Sequence, residues 1–269
     1  MSGLLALGRV VPFGLGSRRA LLLIERNIFV YRSGWLVILS GFFEPLFYLL
    51  SIGLGIGGMV GDIPGPDGQP IPYALFVAPA LLASASMNGA IAESTFNVFF
   101  KLNYAKVYDA VLATPMATGD VALGEIGWAV IRSTLYAFGF MVVILLLGLV
   151  RSPWAVFAIP GATLLAVAFA ASGMAATKWM RSWQDFDLIN LVVLPLFLFS
   201  GTFFPIEAYP EPLRLLVMLT PLWQGTDMLR ALITGFVDPS ILWHVAYLGV
   251  MGLVGLLVVG RRLDRLLLK

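Results

Sequence analysis

Six long apolar runs, separated by short polar segments, dominate the pattern of hydrophobic and polar positions. They cover residues 33–59, 73–99, 121–150, 153–177, 186–204 and 241–260. Each run is near or above the ~20 residues that a helix needs to cross ~30 Å of hydrocarbon. The pattern therefore predicts an all-α polytopic membrane protein with six transmembrane helices.

The basic residues are distributed unevenly between the two sides that six spans define. With the N-terminus in the cytosol, thirteen of the 17 lysines and arginines lie on the cytosolic side. Arg151, Arg214 and Arg230 lie on the outer side, and Arg132 lies within the third span. Because cytoplasmic loops carry the excess of lysine and arginine, we expect a multi-pass protein of the cell membrane with both termini cytoplasmic.

Two parts make up the expected domain organisation. Residues 1–32 carry charged residues every seven positions between apolar ones, which predicts a cytosolic amphipathic helix lying at the lipid interface. Residues 33–269 form the six-helix transmembrane domain. Within it, residues 101–120 are the longest polar stretch between spans, and they predict a short cytosolic helix over residues 104–113 that Thr114-Pro115 ends.

Residues 205–239 separate the last two spans on the outer side. Two helical pieces, residues 212–219 and 222–234, are divided by Thr220-Pro221, and both are too short to span a membrane. Backbone at membrane depth must be hydrogen-bonded and packed in protein. We therefore expect a re-entrant helical hairpin in the outer leaflet, and the alternative is an outer loop with two surface helices.

Composition excludes several classes of function. The chain is 59% hydrophobic and 12% charged, with a mean hydropathy of +0.92, whereas soluble domains carry about 25% charged residues. It has no cysteine and one histidine, so thiolate chemistry and multi-histidine metal sites are excluded. The basic balance reflects cytosolic loop charge and does not indicate nucleic acid.

No GxxxxGK[ST] phosphate-binding loop occurs in the chain. If ATP drives its function, a separate subunit must bind that ATP and dock on a cytosolic surface. Residues 101–120 are the best candidate for this surface, since they mix polar groups with the aromatic residues Tyr104 and Tyr108, which we expect to be exposed.

Few ionisable residues lie within the spans, where their cost usually makes them face protein or water. Glu93 and Arg132 are expected at similar depths in neighbouring spans, which predicts an ion pair with a structural role in preference to a transport role. Glu44 directly precedes Pro45 and has no evident partner. Either it lines a cavity, or Pro45 breaks the backbone there and admits water.

The fifth span carries breaks of its own. Pro195 removes a backbone hydrogen bond, and Ser200-Gly201 lets another helix approach closely. We hypothesise that these residues face Glu44 and Pro45 across a dimer and border a cargo path.

Two stretches carry a resemblance to a known family. The sequence SGTFFP at residues 200–205, followed by Pro210, Thr220-Pro221-Leu222 and Arg230-Ala231, resembles the closing signature of type-2 ABC exporter permeases. The sequences MNGAIAESTFNVFFKLNYAKVYDA and VLATP within residues 87–115 are similar to the branch containing nodulation-factor and daunorubicin-resistance permeases.

The resemblance implies a dimer of permeases, identical or paralogous, each bound to a cytosolic ABC ATPase that holds ATP and Mg²⁺, with no cofactor on this chain. It also implies that residues 101–120 contain the helix that docks on the ATPase. The residues expected to couple are Tyr104, Lys106, Tyr108, Asp109 and Leu112. The cargo expected for such an apolar route is amphipathic or lipid-like.

Two other functions compete with this interpretation. An ion-coupled secondary transporter would use unpaired carboxylates or broken helices near the midplane, and Glu44-Pro45 is the one such feature. A membrane-embedded enzyme would need a polar catalytic cluster facing water, and the sequence shows none.

Overall fold

A computed structural model of the chain describes residues 18–32, 43–65, 68–177 and 179–262. The start of the predicted interfacial helix (1–17), the start of the first predicted span (33–42), Lys178 and the basic C-terminal residues 263–269 lie outside the described residues.

The described chain is mostly helical. Its helices are α1 (Arg18–Arg32), α2 (Phe43–Val60), α3 (Tyr73–Asn103), α4 (Val107–Leu112), α5 (Thr118–Leu146), α6 (Ala158–Thr177), α7 (Asp185–Phe199), α8 (Glu211–Met218), α9 (Pro221–Thr234) and α10 (Ser240–Arg262). Short 3₁₀ turns, Pro153–Phe157 and Ile206–Ala208, precede α6 and α8. Two three-residue strands, β1 (Asp62–Pro64) and β2 (Pro70–Pro72), pair antiparallel with Ile63 opposite Ile71.

Five of the described helices are long and apolar enough to cross a membrane. They are Phe43–Val60, Tyr73–Asn103, Thr118–Leu146, Pro153–Thr177 and Ser240–Gly260, and they correspond to five of the six predicted spans. The predicted fifth span, residues 186–204, corresponds to α7, which has only 15 residues. The chain leaves the helix at Ser200, and Gly201 then takes a positive φ of 65° that turns the backbone.

Helix α3 lies at the centre of the fold, with α5, α6 and α9 packed against it. Because α3 is apolar on all sides and rich in alanine, it can be buried along most of its length. Small residues also bring α10 close to α6: a Cβ at Gly255 would lie only 2.8 Å from Ala171 Cβ. By contrast, α7 buries none of its residues within the chain.

The two helices between α7 and α10 begin and end within one residue of their predicted bounds. Helix α8 is largely exposed, whereas α9 is buried among α3, α6 and α10. The Thr220 side chain accepts a hydrogen bond from Trp223 N at 3.3 Å and caps α9. Gly235, with a φ of 97°, ends it.

Polar side chains fasten α9 to its neighbours. The Arg230 guanidinium donates to Gly201 O at 2.7 Å and lies 3.9 Å from the centre of the Phe76 ring. Burial lowers the pKa of Arg230 to about 10, so the group is still cationic at neutral pH. His244 of α10, buried as well, places its Nε2 atom 3.2 Å from Asp227 Oδ2 of α9.

The polar segment after α3 differs from its prediction. Helix α3 continues to Asn103 instead of ending near Phe100, and α4 is shorter than the predicted helix over residues 104–113. Lys101 therefore lies inside a helix and is buried. The break between the helices occurs at Lys106, whose φ of 46° is left-handed and incompatible with a continuous helix.

Helix α1, the described part of the predicted interfacial segment, packs on α5. A Cβ at Gly124 of α5 would lie 2.7 Å from Leu23 Cβ, so the two helices meet closely there. Helix α1 also exposes the apolar side chains of Leu21, Leu22, Phe29 and Val30.

Candidate functional site

A cavity of about 880 Å³ lies between α2, α3, α5 and α7. Its volume falls within the range of sites for small organic molecules. Charged and polar side chains from all four helices reach it, among them Glu44 of α2, Glu93 of α3, Arg132 of α5, and Asp187 and Asn190 of α7.

Glu93 and Arg132 form an ion pair in the wall of this cavity. Arg132 Nε also donates to the Tyr136 hydroxyl at 2.6 Å, and its guanidinium lies 5.0 Å from the centre of the Tyr31 ring. Asn97 Nδ2 donates to Glu93 Oε2 at 2.6 Å. Glu93 is only 4% exposed. These contacts compensate its charge from several sides, as an ionised residue buried among apolar helices requires.

Two carboxyl groups at the cavity have no such partners. Among the described residues, no hydrogen bond or ion pair reaches the carboxylate of Glu44 or that of Asp187, and both residues are exposed. Asp187 lies in the first turn of α7, where the helix dipole favours a negative charge.

Not all of the residues predicted to border a cargo path come together. Glu44 and Pro45 line the cavity, but Pro195 and Ser200 are absent from its described lining. Ser200 is buried, and its hydroxyl donates to Leu196 O. Helices α2 and α7 nevertheless meet within one chain, where the Tyr48 and Phe197 rings lie 5.5 Å apart.

A second buried polar cluster joins α1, α3 and α5. Lys101 Nζ lies 2.7 Å from Glu125 Oε2. Asn27 Nδ2 donates to the same oxygen at 3.3 Å, and Lys101 Nζ donates to Asn27 Oδ1 at 3.3 Å. One carboxylate therefore gathers side chains from three helices.

The sequence contains a signal for this cluster that reasoning from spacing missed. Glu125 and Arg132 are seven residues apart on α5, close to two helical turns, whereas Lys101 and Glu93 are eight apart on α3. The π-helical turn Glu93–Asn97 takes up the additional residue. Both charged residues of α3 therefore face both charged residues of α5.

Tyr108 corrects the prediction of an exposed aromatic residue. It is 2% exposed, because α4 lies with this side chain directed inward, toward Glu125. Burial raises the pKa of the Tyr108 phenol well above 10, and the Glu125 carboxylate raises it further. Of the other residues expected to couple, Tyr104, Lys106 and Asp109 are exposed and Leu112 is half-buried.

An aromatic cluster, which the sequence prediction also missed, connects Tyr104, directly after α3, with the cavity. The Trp183 ring lies 5.1 Å from the Tyr104 ring and 5.0 Å from the Phe96 ring. Phe96 and Phe186, which also contacts Trp183, line the cavity. The recurrence of aromatic residues at 96, 99, 100 and 104 on one helical face was the available signal.

Long apolar helices around a charged cavity define a multi-pass membrane protein. The ABC-2 type transporter family matches residues 18–234, so the chain belongs to this family. It is 28% identical to Nodulation protein J of Rhizobium leguminosarum bv. viciae over 247 residues, covering 91% of this chain and 93% of the relative.

Other relatives agree with this assignment. Nodulation protein J of Rhizobium leguminosarum bv. trifolii is 30% identical, with 87% of this chain and 88% of the relative covered. The inner membrane transport permease YadH of Escherichia coli strain K12 is 26% identical, with 69% and 67% covered. The chain is thus a membrane permease of an ABC transporter, a system that includes an ABC ATPase.

Proposed function

We propose that this chain is the permease subunit of an ATP-driven exporter in the cell membrane, and that it moves an amphipathic or lipid-like cargo outward. ATP and Mg²⁺ bind to a separate cytosolic ATPase subunit, and this chain supplies no cofactor site. The observation that carries this proposal is the 880 Å³ cavity, which combines charged side chains with apolar walls, and three of its four helices are long and apolar enough to cross a membrane.

In the proposed topology both termini are cytoplasmic, α7 belongs to the fifth of six spans, and residues 205–239 form a re-entrant hairpin in the outer leaflet. The asymmetry of basic residues supports this orientation. The burial of α9 supports the hairpin, since its backbone is packed in protein. The apolar side chains that α1 exposes suit contact with membrane lipids, as expected for an interfacial helix.

The ATPase docks, in this proposal, on the surface formed by Tyr104, Lys106 and Asp109. These residues are exposed beside Leu112 and above the buried Tyr108. Tyr104 contacts Trp183, and the ring of Phe186 beside Trp183 lines the cavity. A displacement of Tyr104 by the ATPase would therefore reach the cavity through packed rings.

A second permease, identical or paralogous, covers α2 and α7. Both helices expose large apolar side chains, among them Phe47 and Leu50 of α2 and Leu191 and Leu194 of α7. Such a dimer would place two cavities near one interface, with Glu44, Pro45, Pro195 and Ser200 toward the route of the cargo.

The alternative function is an ion-coupled secondary transporter, which the carboxyl groups of Glu44 and Asp187 favour. Proteoliposomes that contain the permease alone distinguish the two. Transport driven by a proton or sodium gradient without an ATPase would support the alternative and contradict ATP coupling.

The docking surface supplies the direct test. We expect the double substitution Tyr104→Ala and Asp109→Ala to weaken co-purification of the partner ABC ATPase, and to lower the ATPase activity of the complex. Glu211→Ala, at an exposed position of α8, is the control and should leave both unchanged. Full ATPase association of the double variant would place the docking surface elsewhere.

A further inference from the structure

The charges around the cavity do not balance. Among the described residues, its lining contains three carboxyl groups, from Glu44, Glu93 and Asp187, and a single guanidinium, from Arg132. Arg132 is paired with Glu93 and hydrogen-bonded to Tyr136. Within the described part of the chain, no cationic side chain pairs with Glu44 or Asp187. The described lining of the cavity therefore has an excess of negative charge.

Aromatic rings contribute to the apolar walls of the cavity, together with aliphatic side chains. Tyr48, Phe96, Phe186 and Phe197 line the cavity along α2, α3 and α7. The faces of aromatic rings attract cations, and this attraction grows when water is excluded. The same rings offer apolar contact to the body of a ligand, while Asn190 supplies a hydrogen-bonding amide at the rim.

From these features we infer that the cavity binds an organic cation, a cargo with a positively charged centre surrounded by apolar or aromatic groups. Glu44 and Asp187 are the residues that determine this specificity. The negative charge of these two groups attracts a cation and repels an anion of the same shape. This inference rests on the proposed export function and names the class of its cargo.

The size of the cavity permits a direct binding experiment. We would incorporate the full-length permease into nanodiscs of zwitterionic lipid and measure equilibrium binding of tetraphenylphosphonium, with empty nanodiscs subtracted. Tetraphenylborate has nearly the same shape and the opposite charge. We expect saturable binding of the cation, at least tenfold tighter than binding of the anion.

Substitutions then test which residues form the binding site. Glu44→Gln together with Asp187→Asn should weaken tetraphenylphosphonium binding about tenfold or more, since both changes keep the shape of the side chain and remove its charge. Glu211→Gln, an identical change on exposed α8, should have no effect. Asn190→Trp, which fills the cavity from its exposed rim, should abolish binding. Monodisperse elution and an unchanged unfolding temperature establish that each variant is folded.

Three results would overturn the cation class. One is equal affinity for the two probes, a second is full tetraphenylphosphonium affinity in the double variant, and a third is the absence of saturable binding to the wild type. If Asn190→Trp alone blocks binding, the cavity selects its ligand by shape, and export by an ATP-driven complex stands. The export function is tested separately, by co-purification of the ATPase with the Tyr104→Ala and Asp109→Ala double variant.

Discussion

Lys101 Nζ lies 2.7 Å from Glu125 Oε2, and this ion pair joins α3 to α5 in the buried part of the fold. The same two helices are joined a second time by Glu93 and Arg132. Because charged groups in an apolar environment are costly when unpaired, the two pairs fix both the rotation and the register of these helices. The second pair also forms part of the cavity wall.

The Lys101–Glu125 pair should be required for stability. We expect Glu125→Ala to lower the free energy of unfolding by about 3–5 kcal/mol, because it leaves Lys101 buried without its counter-charge. Replacing both residues, by Lys101→Met and Glu125→Leu, should recover much of this loss. Unfolding of the purified protein in detergent measures the effect, with Glu25→Ala on the exposed side of α1 as control. A Glu125→Ala variant as stable as the wild type would contradict this role.

Reversing the charges of Glu93 and Arg132 tests the role of this pair. Either Glu93→Ala or Arg132→Ala should reduce the amount of folded protein in the membrane, at a cost of about 3–5 kcal/mol each. The double reversal, Glu93→Arg with Arg132→Glu, should restore part of it. Quantification of folded protein after detergent extraction, compared with transport activity, distinguishes a structural role of the pair from a role in transport. Single variants that fold normally and fail only in transport would assign the pair a role in transport.

Tyr108 should contribute through packing under α4. Tyr108→Ala is expected to cost about 3–5 kcal/mol, as for other buried aromatic residues, whereas Tyr108→Phe keeps the ring and should cost far less. The raised pKa of Tyr108 adds a pH effect. The unfolded chain ionises this phenol near pH 10 while the folded protein keeps it neutral, so its contribution is complete below pH 10 and is lost above it.

A comparison of wild type and Tyr108→Phe isolates this contribution. The free energy of unfolding of the wild type should fall more steeply above pH 10 than that of the variant. Equal slopes for the two proteins would show that the phenol titrates alike in the folded and unfolded states.

Labelling of introduced cysteines can test the topology, since the chain has no cysteine of its own. Asn103 and Glu211 are both exposed, at the end of α3 and at the start of α8. In intact cells, an impermeant thiol reagent should label Glu211→Cys and leave Asn103→Cys unlabelled until the membrane is opened. Labelling of Asn103→Cys from outside would refute the proposed orientation.

Much of the framework could be predicted from the sequence. Five apolar runs correspond to helices of spanning length, and α8 and α9 lie within one residue of their expected positions. These features depend on local properties, namely the length of apolar runs and the breaks that proline and glycine impose. Glu44 also lies at a cavity, one of the two alternatives that its sequence context left open.

The sequence by itself determined where the chain enters and leaves apolar surroundings, because hydrophobic length and polar breaks act over neighbouring residues. Only the tertiary structure decided which side chains meet. A π-helical turn in α3 brings Lys101 onto the face that meets Glu125. The orientation of α4 directs Tyr108 inward, although the next two residues, Asp109 and Ala110, are exposed. Such contacts depend on the rotation and register of helices far apart in sequence, which the packing of the whole fold sets.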